Sequence, residues 1–363
     1  MPAGLGSDDV LPIHHPSPVA DDLTASPPTT VLPRACLARL ADPRIRRPLI
    51  AAVAIVVLGL TAWGVMNAAD PSRLRDSFTG VSWPWIAAAC AAYAATQVMS
   101  ALVWKVGLDA GGLAAIDRGH VIRAHLVGRG ACELLPAHLG EAVRYAAVRR
   151  HPAADGGGMR IAGSMSAFKI IDGVVTFAVV AAATTVAPLP SGFTPIRWAA
   201  GLMLAGLIIS VVVLWRFGGS RLAVLVPRRA RGLLDTFGRG AGLLACRRSM
   251  VVAGGLQLCA IGLRILSLAA LLAAFGLPAA AAPLVFGLMI VSGYLAISPG
   301  GAGVREAAVV PVLVTTYGLT AAPVLAFSLG VQAIALVVSI AGALLAMLLE
   351  RRAGGTAPAT ALA

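Results

Sequence analysis

The amino-acid sequence predicts an all-α membrane protein with about six full transmembrane helices, two re-entrant or broken helical hairpins and an inverted internal repeat. Composition is the first reason, since 58% of the 363 residues are hydrophobic and only 12% are charged, and the mean hydropathy is +0.85. Apolar runs of about 20 residues, the length that a helix needs to cross a bilayer, recur along the chain. Arginines concentrate between these runs, as expected of loops that set membrane topology.

The chain divides into a head, a membrane domain and a tail. Residues 1–47 contain eight prolines and no long apolar run, which predicts a disordered cytoplasmic head. Residues 48–349 are the expected polytopic membrane domain, and residues 350–363 a cytoplasmic tail. The predicted spans are residues 48–69, 81–104, 162–187, 196–215, 250–275 and 319–349. Residues 216–248 hold eight arginines against the single Asp235, so we expect this loop in the cytoplasm.

Residues 118–150 are too polar for a lipid-facing helix, because arginines, histidines and glutamates alternate with the apolar residues. Both flanks are basic, which predicts a re-entrant hairpin that enters and leaves on the cytoplasmic side. Its tip would lie near Pro136 and Gly140, with Glu141 and Arg144 just behind. The alternative is an amphipathic helix that lies on the membrane surface.

Arg305 and Glu306 are the only charged residues between positions 265 and 349. A charge near the middle of a bilayer costs about 2.5–3.5 kcal/mol on insertion scales, so such residues are usually retained for a task. Adjacent helical residues point about 100° apart, so these two cannot simply neutralise each other. The segment before them breaks the helix through Pro299, Gly300, Gly301 and Gly303. A new helix N-terminus beside an arginine is a natural anion site.

Three further charged residues interrupt predicted spans. Lys169 and Asp172 lie three residues apart on one helix face, where they predict an ion pair or the lining of a cavity. Arg264 lies about two-thirds of the way along its span, with Gln257 one heptad earlier on roughly the same face. An arginine there either extends towards the interface or lines a substrate path, and its depth favours the path.

The two broken elements predict an internal repeat. Each has a proline and a glycine four residues apart, followed by opposite charges: Pro136, Gly140, Glu141 and Arg144 in the first, and Pro299, Gly303, Arg305 and Glu306 in the second. The halves, residues 48–187 and 196–349, both run span, span, hairpin, span, and the charge pattern gives them opposite orientations. Inverted repeats place a transport site between the halves near the bilayer midplane. Ordinary helix packing also explains Gly and Pro breaks, but the adjoining charges favour a function.

Several kinds of site are not expected. The five cysteines are odd in number and widely spaced, which argues against a disulfide framework or a zinc site. His120 and His125 lie five residues apart, off the usual ligand spacing, and fit the lining of a hydrated cavity better. We therefore expect no metal and no other cofactor. Because the arginines flank apolar runs, the basic charge indicates topology rather than nucleic-acid binding.

The two charged breaks resemble elements of a known family. Residues 299–306, Pro-Gly-Gly-Ala-Gly-Val-Arg-Glu, are similar to the late Pro-Gly-rich element of the membrane region of lysylphosphatidylglycerol synthases, which are flippase-like integral membrane proteins. Leu135-Pro136, Gly140-Glu141 and Arg144 resemble the earlier element of that region. The likeness covers residues 48–349 and implies lipid translocation or handling. The family's soluble synthase domain is not found in this sequence, so the resemblance gives no support for aminoacyl transfer or for an enzyme.

The first functional hypothesis is a flippase-like protein that translocates or handles an anionic lipid or lipid-linked molecule. Arg144 and Arg305 would contact its phosphate, Arg264 would line the route, and Glu141 and Glu306 would orient the arginines or contact a cationic headgroup. The alternatives are an integral membrane enzyme acting on lipid precursors, which lacks a recognisable catalytic motif, and a scaffold for a separate lipid-modifying synthase or glycosyltransferase. We expect a bacterial plasma-membrane location with both termini in the cytoplasm, and a membrane lipid or a further copy of the chain as partner.

Overall fold

The computed structural model describes residues 71–135, 139–186, 228–295 and 303–354, with a few residues between 198 and 209. Every regular element within these ranges is helical. Four of their helices are long and apolar enough to cross a membrane. The all-α membrane class is therefore confirmed. The predicted head, the span 48–69 and almost all of the span 196–215 lie outside the described residues.

Four long helices form the frame. They are α2 (Trp83–Ala110), α5 (Gly158–Val186), α7 (Arg247–Ala274) and α10 (Ala321–Gly354). Each coincides with a predicted span and extends it by a few residues. Two shorter helices complete the outer part of the structure: α1 (Pro71–Thr79) precedes α2, and the arginine-rich α6 (Arg228–Gly240) packs against α5.

Both predicted broken hairpins are pairs of short helices. The first consists of α3 (Arg118–Leu134) and α4 (Gly140–Arg149), and the second of α8 (Ala282–Leu295) and α9 (Val304–Tyr317). The arms contain 17, 10, 14 and 14 residues. At a rise of about 1.5 Å per residue they are about 15–26 Å long, shorter than the roughly 30 Å hydrocarbon layer. Such arms suit elements that enter the membrane without crossing it.

The central contact of the fold is the antiparallel pair α2 and α7. Three hydrogen bonds fix its register: Ser82 N to Ala274 O at 3.1 Å, Ser267 Oγ to Ala89 O at 2.8 Å, and Thr96 Oγ1 to Ala260 O at 3.4 Å. The residue numbers of these partners rise along α2 and fall along α7, as they must in an antiparallel pair. Small side chains along both helices allow this close approach.

The element order repeats with a nearly constant offset. Helices α7, α8 and α9 each begin 164 residues after α2, α3 and α4, and α10 begins 163 residues after α5. The first arm of each hairpin packs against the last long helix of the other half, α3 against α10 and α8 against α5. This exchange, together with the antiparallel α2 and α7, is the arrangement that an inverted repeat requires.

Candidate functional site

A cavity lies among six helices, α2, α3, α7, α8, α9 and α10, and encloses about 500 Å³ including its open side. Its polar lining consists of Tyr93, Arg129, Glu133, Arg264, Ser267 and Arg305. The rest of the wall is apolar and comes mainly from α7, α8 and α10, with Leu268, Phe286 and Ile334 among its members. The cavity therefore combines a cluster of guanidinium groups with a hydrocarbon wall, and we call it the arginine cavity.

Arg129 is the one arginine of the cavity with a carboxylate partner among the described residues. Its Nη2 lies 3.0 Å from Glu133 Oε1, one turn further along α3, and donates to Tyr93 Oη on α2 at 3.3 Å. Glu133 is well covered, with 10% of its side chain exposed. These two contacts hold Arg129 in place and tie the first hairpin to α2.

Arg264 and Arg305 have no carboxylate within ion-pair distance among the described residues. Arg264 places its guanidinium 5.8 Å from the centre of the Phe286 ring. The Nε of Arg305 is buried and has no hydrogen-bond partner in the described part of the chain. Arg305 is repelled by Arg264 and Arg129 and attracted by Glu133. Three cations thus share the cavity with one carboxylate, which favours an anionic occupant.

Glu306, although adjacent to Arg305, points elsewhere. Its Oε2 accepts a hydrogen bond from the amide of Gly303 at 2.7 Å, which closes the first turn of α9. Its Oε1 accepts from Ser328 Oγ at 3.2 Å and from the amide of Gln332, both on α10. Gly303 has φ +85°, a backbone conformation that residues other than glycine adopt only at a cost in energy. Glu306 therefore anchors the break and joins α9 to α10.

Arg144 lies in a separate buried cluster between α3, α4 and α5. It pairs with Glu141 one turn earlier on α4, and Glu141 also accepts from Lys169 Nζ at 2.7 Å. The Arg144 guanidinium lies 4.9 Å from the Trp104 ring centre, and its Nη1 is 3.2 Å from His125 Nδ1. Arg144 is thus held by a carboxylate, an aromatic face and an imidazole, an arrangement that fixes the first hairpin to its neighbours.

Asp172 accepts a hydrogen bond from Gln257, which connects α5 with α7. Sequence spacing predicted instead that Asp172 pairs with Lys169 or lines a cavity with it. In the structure Lys169 pairs with Glu141, and Asp172 forms no ion pair within the described residues. The hydrogen bond of Asp172 therefore links a span of the first half, α5, to a span of the second half, α7.

The structure divides the residues singled out from the sequence. Arg264 and Arg305 line the arginine cavity, whereas Arg144, Glu141, Lys169, Asp172 and Glu306 do not. Arg129, Glu133 and Tyr93 belong to the cavity but were not selected. The i, i+4 spacing of Arg129 and Glu133 inside a hairpin was a usable signal for them.

The predicted breaks are only partly described. Gly140 is the first residue of α4, and Gly303 directly precedes α9. Pro136, Pro299, Gly300 and Gly301 lie outside the described residues.

The fold and the half-buried arginines of the cavity define a multi-pass α-helical membrane protein with a polar cavity inside its helix bundle. Comparison with protein families gives the particular group: residues 49–342 match the family described as the lysylphosphatidylglycerol synthase TM region. The chain belongs to this family, and the resemblance seen in its two charged breaks is confirmed. The family relates the protein to lipid synthesis or handling. Among curated proteins and among solved structures, no match was found.

Proposed function

We propose that the protein translocates an anionic lipid or lipid-linked molecule across the membrane, and that the arginine cavity holds the phosphate of its headgroup. The family supports lipid handling in general, and the charges of the cavity support an anion in particular. Arg129, Arg264 and Arg305 come from three different helices and share the cavity with the single carboxylate of Glu133. This convergence is the observation on which the proposal rests.

Arginine is well suited to this role. Its planar guanidinium presents a fork of N–H donors that matches two oxygens of a phosphate and remains charged in a poorly hydrated setting. Arg264 and Arg305 keep their donors free of carboxylates within the described ranges, so both can turn to a ligand. The apolar wall next to them suits the glycerol and upper acyl region of a lipid.

The origin of the three arginines suggests how the occupant moves. Arg129 belongs to the first hairpin, Arg305 begins the second, and Arg264 belongs to α7 in the central pair. A headgroup bound by all three is held between the two halves. Rocking or gating of the halves about such a site exposes it to one leaflet at a time.

The test is lipid translocation in proteoliposomes containing the full chain and a fluorescent phosphatidylglycerol, with reduction of the outer-leaflet label as the readout. A hydrogen bond to a charged group is worth about 1.5–3 kcal/mol, so Arg305→Gln and Arg264→Gln should each slow translocation about ten-fold or more. Arg305→Lys keeps the charge but not the fork and should be intermediate.

Arg239→Gln is the matched control, because it removes the same charge from the exposed side of α6, outside the cavity. It should move the labelled lipid at the wild-type rate. If Arg305→Gln and Arg264→Gln were as fast as Arg239→Gln, the arginine cavity would not be the headgroup site. If the wild type moved a zwitterionic lipid as fast as phosphatidylglycerol, and the four variants did the same, headgroup charge would not be selected.

A further inference from the structure

A second basic cavity lies at the base of the first hairpin and is separate from the arginine cavity. It encloses about 740 Å³ including its open side and is formed by the start of α3, the end of α4 and the end of α10. Its lining consists of His120, Arg123, Ala124, Val127, Ala147, Arg150, Met347, Glu350 and Arg351. We call this cavity the interfacial basin.

The charge of the basin is concentrated in three guanidinium groups. Arg123 belongs to α3, Arg150 directly follows α4 and Arg351 belongs to α10, while Glu350 is the only carboxylate in the lining. The Nε of Arg123 is buried and has no hydrogen-bond partner among the described residues. The floor between the arginines is apolar, formed by Ala124, Val127, Ala147 and Met347. Three converging cations over an apolar floor suit a phosphate attached to a hydrophobic body.

Asp117 is a carboxylate that interacts with Arg123 from outside the lining; it caps α3 and lies outside the long membrane helices. Asp117 Oδ1 accepts from the amide of His120 at 2.8 Å, and Oδ2 lies 3.4 Å from His151 Nε2. Burial raises the pKa of Asp117, but the bond from the His120 amide and the charge of Arg123 outweigh it, so its pKa lies below the ordinary value. Asp117 is therefore ionised and already engaged, and the basin keeps an excess of positive charge.

The position of the basin fits the membrane surface. Arg351 lies in the last turns of α10, a helix long and apolar enough to span the membrane, and the basic ends of such helices lie at the interface. The phosphates of bilayer lipids occupy the same level. Helices α3 and α10 line both cavities. On α3, Arg129 of the arginine cavity lies six residues after Arg123 of the basin, which is about 9 Å along the helix axis.

We propose that the interfacial basin is a second anion site, which binds the phosphate of an anionic lipid at the membrane surface through Arg123, Arg150 and Arg351. The ligand chemistry is a phosphate mono- or diester, which a lipid headgroup or a soluble phosphate can supply. The location at the membrane surface and the apolar floor favour the lipid. The proposal stands whether or not the arginine cavity translocates lipid.

Adjacent arginines provide a matched test of this site. Arg150 and Arg351 line the basin, while their neighbours Arg149 and Arg352 are equally exposed and do not line it. The variants R150Q/R351Q and R149Q/R352Q therefore lose the same charge from the same region. Native mass spectrometry of the full chain, titrated with phosphatidylglycerol or phosphatidylcholine, counts bound lipids and gives their affinities.

The wild type should bind phosphatidylglycerol saturably at this site and phosphatidylcholine more weakly. R150Q/R351Q should lose this binding step, with an affinity reduced about ten-fold or more, because two charged hydrogen-bonding partners are removed. R149Q/R352Q should stay close to the wild type. R264Q and R305Q should keep the basin step, so a failure of the arginine cavity is distinguished from a failure of the basin.

Two outcomes would overturn the proposal: an unchanged titration of R150Q/R351Q, or an equal loss in R149Q/R352Q, which would indicate only general surface charge. Inorganic phosphate identifies the source of the ligand. Lipid binding that persists at millimolar phosphate supports the lipid headgroup. Binding of inorganic phosphate that R150Q/R351Q abolishes, without a lipid step, would assign the arginines to a soluble phosphate and overturn the lipid assignment.

Discussion

Arg305 and Glu306 are neighbours in the chain with opposite surroundings. Glu306 is buried, with 8% of the residue exposed, and its carboxylate accepts three hydrogen bonds, from Gly303, Ser328 and Gln332. Arg305 has no carboxylate partner within the described ranges and lies near two other arginines. One residue therefore stabilises the fold, whereas the other makes the site electrostatically unfavourable until an anion arrives. Buried groups that cost stability in this way concentrate at functional sites.

Stability measurements should separate these two residues. Glu306→Ala leaves three donors without their acceptor, and a buried unsatisfied group costs about 1–3 kcal/mol, so the free energy of unfolding should fall by at least that amount. Glu306→Gln restores part of it. Arg305→Gln should leave the unfolding temperature unchanged or raise it, since it relieves repulsion. Thermal unfolding of the purified variants in detergent measures the effect, and a large loss in Arg305→Gln would contradict this division of roles.

Single residues also show what the sequence could predict. Arg264 and Arg305 stand out because each interrupts an otherwise apolar run, and both line the cavity. The i, i+4 spacing marks Arg129 and Glu133 as a pair on α3, but it does not show that distant helices complete a cavity around them. Arg144 was chosen through its likeness to the second break. Its partners Trp104 and His125 come from other helices, and local spacing cannot reveal such contacts.

At the scale of elements, the first hairpin closes because its helices have glycines where they touch. A Cβ on Gly128 of α3 would lie 2.6 Å from Arg144 Cβ and 3.1 Å from Gly140 O. Side chains any larger than hydrogen would push α4 away from α3. The helical arms and their breaks were predictable from Pro, Gly and charge placement, whereas this close approach depends on which helix faces meet.

Gly128→Ala should therefore open the first hairpin. Overpacking of a close contact costs about 1–3 kcal/mol, although alanine is the better helix former. The matched control is Gly262→Ala on α7, where a Cβ would meet nothing within 4 Å. We expect a lower unfolding temperature for Gly128→Ala and an unchanged or higher one for Gly262→Ala. A stable Gly128→Ala would mean that α3 and α4 are not closely packed in the membrane.

At the scale of the whole molecule, the repeat sets the helices in opposite directions and the charges set the orientation. The end of α2, the 3₁₀ turn Gly242–Leu244 and the start of α7 lie together, since a Cβ on Gly242 would approach Ala110 O. The base of the first hairpin and the last turn of α10 share the interfacial basin near the same end. At the opposite end, where Phe78 meets Phe275 at 5.7 Å, helix α1 carries Arg73, Arg75 and Asp76, a smaller excess of positive charge than at the basin end.

Because the arginines collect at one end, we expect this end to face the cytoplasm. Two single-cysteine proteins, in which every other cysteine is replaced, test this orientation. One keeps the exposed native Cys246, which precedes α7 at the basic end, and the other carries Thr320→Cys at an exposed position that precedes α10 at the other end. A membrane-impermeant maleimide added to intact cells should label Thr320→Cys and spare Cys246, and inverted vesicles should give the reverse. Labelling of Cys246 in intact cells would place the interfacial basin on the outer face. Labelling of both positions from one side would contradict the assignment of α7 as a span that crosses the membrane between them.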